Sequence, residues 1–449
     1  MEETMQILWL CVRVRYCAAG SASQIIPACP QGRRKGENMQ QNLLAEYARL
    51  VARVGINVQK GQTIVVSCPV DCAPFGRQLA RAAYDAGAKD VVMSWTDDFC
   101  AREHWLRADD SLFDAVYPWD ALRSEQLARE GAGFISVSGS DPENLRGVDP
   151  DRLRRYSAAT GRDLRTYYRM MTSSAIAWCV VSVPTAAWAR KVFPGRTDDE
   201  AMELLWEKIL AAVRIAPDTD AVAAWQAHCA ALEARAAALN AQRFVSLHYK
   251  SALGTDAVVR LPQNHVWLAG ADRTPGGVRF VANMPTEEVF TAPLRDGTDG
   301  VLAASKPLVL SGNLVTGIRL TLRKGRIVEA HADSGEDVLQ KALDTDEGAR
   351  YLGEVALVPS DSPIAQSGLL YCNTLFDENA ACHFAFGEAY PGCVRGGEGM
   401  DEEELLTQGI NAVSCTHVDF MIGTDDLCIT GTTQEGRVVP VFENGRFVL

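Results

Sequence analysis

A chain of 449 residues is too long for one ordinary hydrophobic core and points to more than one domain. Its 47% hydrophobic and 22% charged residues exclude a disordered chain, and no apolar run approaches the ~20 residues that cross a bilayer. The net charge of −13 leaves no basic footprint for displacing counterions from nucleic acid, so nucleic acid and membrane are both excluded as partners.

Residues 1–38 differ in texture from the rest of the chain. The short run Ile7-Leu8-Trp9-Leu10-Cys11-Val12 comes after Glu2 and Glu3 and precedes Arg13 and Arg15, the wrong charge order for a secretory signal. This stretch is expected to be a disordered leader or a mis-assigned start, with Met39 as the initiator. From there Leu43, Leu44, Tyr47, Leu50 and Val51 recur with helical spacing.

Apolar runs at 63–67, 90–95, 133–137 and 175–181 predict buried strands, and an Ala/Arg-rich stretch at 75–86, stopped by Gly87, predicts a helix between the first two. Continuous apolar strands joined by helices predict a doubly wound, largely parallel α/β domain over 39–242. No glycine cradle succeeds the first strand, where the chain reads Cys68-Pro69-Val70-Asp71-Cys72, and no Walker lysine motif occurs. Residues 200–242 carry long helices that serve as a connector, with His228 in a packing role.

Beyond 243 the pattern turns to short alternating segments, at 244–249, 257–261, 317–322 and 326–331, the last two joined by a Lys324-Gly325 turn. An α+β, mostly antiparallel domain is expected over 243–449. Thirteen cysteines, an odd number with no Cys-x-x-Cys pair, fit a reducing compartment, the cytoplasm. Cys372, Cys382, Cys393, Cys415 and Cys428 read as small buried hydrophobes in preference to zinc ligands.

Four segments of this second domain place ionisable groups where core residues belong. Asn283-Met284-Pro285-Thr286-Glu287-Glu288-Val289-Phe290 sets two glutamates against an apolar strand. Glu354 stands in Gly353-Glu354-Val355-Ala356-Leu357-Val358, and Glu378 precedes His383 in a turn leading to an alternating strand. In His417-Val418-Asp419 the first and third side chains of an extended chain point the same way, as paired ligands would. Ionised carboxylates in apolar strands are costly unless paired or metal-bound, and no lysines or arginines stand nearby in sequence. The charge balance therefore favours cations, with donors enough for two divalent ions that share a carboxylate. His265 and His331 sit among turns and charges and are left out.

At these residues the chain resembles the thermophilic aminopeptidase family of metallopeptidases, of the aminopeptidase S and T type. The resemblance runs from about Met39 to Leu449 through the segments above, together with Tyr249 to Asp256, Ala389-Tyr390-Pro391 and Gly409-Ile410-Asn411. It implies Glu288, Glu354, His383, His417 and Asp419 as metal ligands, Glu378 in or beside the ligand shell, and Tyr390 at the reacting centre. Ala412, Val413, Cys415 and Cys428 depart from the pattern without touching that set. The resemblance further implies hydrolysis of N-terminal residues from short peptides with two ions such as zinc, cobalt or magnesium, in a homodimer with an enclosed site. On chemical grounds Glu354 is the expected bridge and Tyr390 the oxyanion donor, with Glu287 or Glu378 as proton shuttle. Two rivals remain: a dinuclear amidohydrolase acting on a non-peptide amide, and a non-catalytic binding protein whose carboxylates are paired with arginines.

Overall fold

The computed structural model describes residues 35–310 and 312–449, with side chains from residue 42 onward. The expected leader thus lies outside the described residues as far as position 34, and the first helix, Lys35–Leu50, begins ahead of Met39. Tyr47, Leu50 and Val51 are fully buried, as their spacing predicts.

The first half is built on a parallel sheet of the strands Thr63–Pro69, Asp90–Thr96, Gly133–Ser138 and Trp178–Ser182. The first strand lies inside, between the second and third, so the winding reverses there, as in a doubly wound fold. The helix Ala73–Ala86 comes after the first strand and stops at Gly87, whose φ of 109° takes the left-handed exit that a side chain disfavours. The crevice beyond the strand ends is contacted by the second half of the chain: Asn373 Nδ2 donates to Ser138 Oγ at 3.0 Å and Trp188 Nε1 donates to the Tyr371 carbonyl at 2.6 Å. A fifth parallel strand, Asn283–Met284, pairs with Val180 and Val181. The sheet of the first half is therefore completed from beyond residue 243.

The connector is two helices, Asp198–Ala212 and Ala221–Gln242. The second spans both cores. Ala221, Trp225 and Cys229 pack in the core of the parallel sheet, and Leu232, Ala236 and Leu239 on the same stripe pack in that of the second half.

The second half holds an eight-stranded sheet and a five-stranded sheet, both antiparallel. In the larger sheet the hairpin Arg319–Arg323/Arg326–His331 turns at Lys324 and Gly325, both with positive φ, which matches the twist of a two-residue turn. The smaller sheet runs in the order His417–Met421, His383–Gly387, Leu352–Leu357, Val289–Thr291, Leu268–Ala269. One face of it, Val355, Leu357, Phe384, Phe386, Val418 and Phe420, is buried with Leu247, Tyr249 and Leu320 of the larger sheet. That packing fixes which residues look the other way.

All ten cysteines among the described residues are free. Cys372, Cys382 and Cys393 are buried as expected, whereas Cys415 and Cys428 are exposed, one in the loop before a strand and the other at the start of a strand. No helix among the described residues is long and apolar enough to cross a membrane.

Candidate metal centre

Directly paired residues of an antiparallel sheet share a face, so the register alone assembles the site. Glu354 pairs with Ala385, which pairs with Asp419; Ala356 pairs with His383, and Gly387 with His417. Because alternate residues of one strand also share a face, Glu354, His383, His417 and Asp419 all stand opposite the packed face. Ala385 and Gly387 leave the room between them. Phe290 pairs with Ala356, so Glu288, two residues earlier, is delivered to the same side. The register slips by one residue between Leu352 and Glu354, and this bulge aims Glu354 at the cluster. The slip needs glycine at 353, where a Cβ would run into the Glu388 carbonyl oxygen.

Nε2 of His383 lies 3.2 Å from Glu288 Oε2 and 3.4 Å from Glu354 Oε1. Nε2 of His417 lies 3.5 Å from both Glu354 Oε2 and Asp419 Oδ1. The two oxygens of Glu354 thus serve different histidines. Each ring donates its other nitrogen to a backbone carbonyl, His383 Nδ1 to Ala381 at 3.1 Å and His417 Nδ1 to Glu388 at 2.6 Å, which turns Nε2 toward the cluster. Two donor groups result, Glu288/Glu354/His383 and Glu354/His417/Asp419, each with its ligand atoms within 4.8 Å of one another. All five residues are at least nine-tenths buried, and no lysine or arginine among the described residues pairs with them.

The electrostatics are those of a crowded set of carboxylates and imidazoles with no lysine or arginine among the described residues ion-paired to them. Burial opposes charging of His417, yet the Asp419 and Glu354 carboxylates push its imidazole up to about 9. Burial likewise opposes charging of His383, but Glu288 and Glu354 hold its ring well above the ordinary range. Against the opposing effect of burial, His417 holds Asp419 low, and the two histidines hold Glu354 low. Burial pushes Glu288 up, partly offset by His383. Without an ion, protons on imidazole are the available countercharge.

Glu378 is buried beside the cluster but outside both donor groups, and burial followed by the charges of Asp419 and Glu288 pushes its carboxyl well up. Tyr390 stacks edge-on against His417, ring centres 5.5 Å apart, and against Phe290 at 5.9 Å. Burial, then Glu354, pushes its phenol well above 10, so it remains a proton donor. Glu354, Glu288, Glu378, Tyr390, His417 and Asp419 line a cavity of about 380 Å³ with apolar wall from Met171, Trp178, Leu268 and Phe290, so both halves of the chain contribute to it.

Glu287 departs from the sequence reading. Arg214 Nη2 donates to both of its oxygens, at 2.8 and 3.0 Å, so this carboxylate has the arginine that proximity in sequence did not offer. Successive residues of an extended chain point oppositely, and with Glu288 in the cluster Glu287 faces the connector. His228, read as a packing residue, has a specific partner there: its Nε2 donates to the Thr286 carbonyl at 2.8 Å. Burial, then Arg214, pushes that imidazole down to about 4, so its 3.8 Å approach to Glu287 is not an ion pair near neutral pH. Removing the charge in R214M should strand Glu287 in the interior and lower stability by about 3–5 kcal/mol, read by denaturant unfolding of the metal-free chain.

A family model described as thermophilic metalloprotease (M29) matches residues 40–447. The chain belongs to the M29 family. Aminopeptidase AmpS of Bacillus subtilis is 46% identical over 404 residues, covering 90% of this chain and 98% of that protein. Aminopeptidase T of Thermus thermophilus is 43% identical, with 90% and 98% covered. The solved structure of wild-type AmpT from Thermus thermophilus superimposes with a TM-score of 0.84 at 42% identity, over 91% of this chain and all of that one. An M29 metalloprotease requires a metal, and the two donor groups are residues that could hold one: their imidazole and carboxylate atoms converge from three strands and the residue ahead of a fourth.

Proposed function

We propose that this protein is a metal-dependent aminopeptidase that removes N-terminal residues from short peptides at a two-ion centre. The observation that carries the reading is the pair of buried donor groups sharing Glu354 on the wall of a ligand-sized cavity. Glu288, Glu354 and His383 would hold one ion, and Glu354, His417 and Asp419 the other. Carboxylate and imidazole donors suit zinc, cobalt or magnesium, with availability deciding among them. Bound there, a pair of divalent cations supplies Lewis-acid polarisation of the scissile carbonyl and an acidified water.

The protein's own groups do the rest. The Ala381 and Glu388 carbonyls fix the orientation of both histidine rings, so that Nε2 is the nitrogen turned toward the carboxylates. Tyr390 presents its phenolic proton to the oxyanion that develops on the carbonyl. Glu378, whose carboxyl is pushed up by burial and by Asp419 and Glu288, would act as the shuttle in its ionised form, accepting a proton from the attacking water and passing it to the leaving amine. Glu287 is set aside as shuttle because Arg214 occupies both of its oxygens.

Hydrolysis of an aminoacyl chromogenic amide should be abolished by a chelator and restored by metal. A dipeptide should be cleaved and its N-acetyl derivative left intact; equal turnover of both would favour the amidohydrolase instead. Ion binding should also release protons. His417 and His383 are both held protonated at neutral pH in the metal-free chain and must lose those protons to coordinate. Affinity should therefore fall as pH is lowered, and calorimetry in buffers of differing ionisation enthalpy should find net proton release on metal binding.

A further inference from the structure

We propose that Asn379 is the positioning residue that ties together the two glutamate loops of the metal centre, orienting Glu378 directly and Glu288 through the backbone of Glu287. The inference deepens the metal-centre reading and rests on it.

Asn379 has no solvent exposure and lies in the turn Glu378–Ala380, directly after the short helix Thr374–Asp377. Its Oδ1 accepts the Glu287 N–H at 2.7 Å, across 92 residues of sequence. Its Nδ2 donates to the Leu375 carbonyl at 2.9 Å and to Glu378 Oε1 at 3.3 Å. The orientation is unique. Turned by 180°, the amide would set its NH2 against the Glu287 N–H and its oxygen against a carbonyl and a carboxylate.

Glu287 is consequently held at two points, by Arg214 at its carboxylate and by Asn379 at its amide. With residue 287 fixed, chain alternation sends Glu288 toward His383, 3.2 Å away. The other hand of the same amide holds one oxygen of Glu378, a residue that lines the cavity. A fully buried asparagine is costly unless its bonds are made, and the bonds made here join site-bearing segments. Partners of this kind typically set metal affinity or activity by 10–100-fold.

Two variants separate the two hands. N379D keeps an acceptor for the Glu287 N–H but loses both donors and faces Glu378 with like charge. N379L loses everything. In the metal-free chain, hydrogen exchange at the Glu287 amide should stay slow in wild type and N379D and speed up at least about tenfold in N379L. N379D should hold its ions with KM unchanged while kcat falls about 10–100-fold; N379L should in addition bind metal about 10–100-fold more weakly. Adding N379D to E378Q should cost little beyond E378Q alone. Unchanged Glu287 exchange in N379L, kcat of N379D within twofold of wild type, or fully additive losses in the double variant would each overturn the proposal. If N379L does not fold, N379S, too short to reach both loops, supplies the same exchange and metal readouts. Should wild type itself bind no metal, the functional reading fails, while exchange on the metal-free chain still decides whether Asn379 holds Glu287.

Discussion

Replacing Glu354 by alanine is expected to abolish hydrolysis and to strip both ions from the protein. Glu354 belongs to both donor groups, and its two oxygens are divided between His383 and His417. No other carboxylate in the cluster stands in both. Loss of Lewis-acid assistance is worth several kcal/mol, and at 1.36 kcal/mol per tenfold this is at least about 10³ in kcat. Elemental analysis after dialysis should find the ions gone. The same substitution changes how the metal-free protein responds to pH. His417, raised to about 9 in the fold from an ordinary 6.5, contributes stability that is fully present below about pH 6.5 and lost as pH rises toward 9. Removing Glu354 lowers that imidazole, so E354A should show a flatter decline across this window. A variant that keeps two ions and wild-type turnover is incompatible with a shared Glu354.

Replacing Tyr390 by phenylalanine is expected to act on the chemistry alone. The ring that packs on His417 and Phe290 is kept, so the cluster geometry and metal content should not change. What disappears is the phenolic donor, and removal of one oxyanion donor typically costs about 10²–10³ in kcat. KM for a small aminoacyl amide should move little, since the bond strengthens only as charge develops on the carbonyl. Because the phenol titrates well above 10, wild type and Y390F should share the same alkaline limb in their pH profiles. A fall of less than about threefold would remove Tyr390 from the reaction.

The architecture was legible wherever periodicity or alternation carries it. The four long parallel strands announced themselves as unbroken apolar runs, and Gly87 closed the helix it was expected to close. His417 and Asp419 were readable as a pair because spacing by two in a strand means a common face. The strand Asn283–Met284 was not readable, since two residues carry no period. Alternation shows that Glu287 and Glu288 point opposite ways but not which one faces the histidine and carboxylate cluster. That choice is made by Arg214, far away in sequence, and by the pairing of Phe290 with Ala356. The charge that compensates Glu287 is likewise remote in sequence, and so is the Thr286 carbonyl that His228 contacts. The bulge at Gly353 left no mark beyond the glycine, yet it sets the aim of Glu354. Asn379 stood in full view beside Glu378, but nothing in the local sequence says that its amide reaches residue 287.

Anomalous diffraction from crystals of the cobalt- or zinc-loaded enzyme tests the central claim most directly. Two peaks are predicted, about 3.5–4 Å apart as in other two-metal centres, one among Glu288, Glu354 and His383 and the other among Glu354, His417 and Asp419. A single peak, or metal bound away from Glu354, would contradict the account.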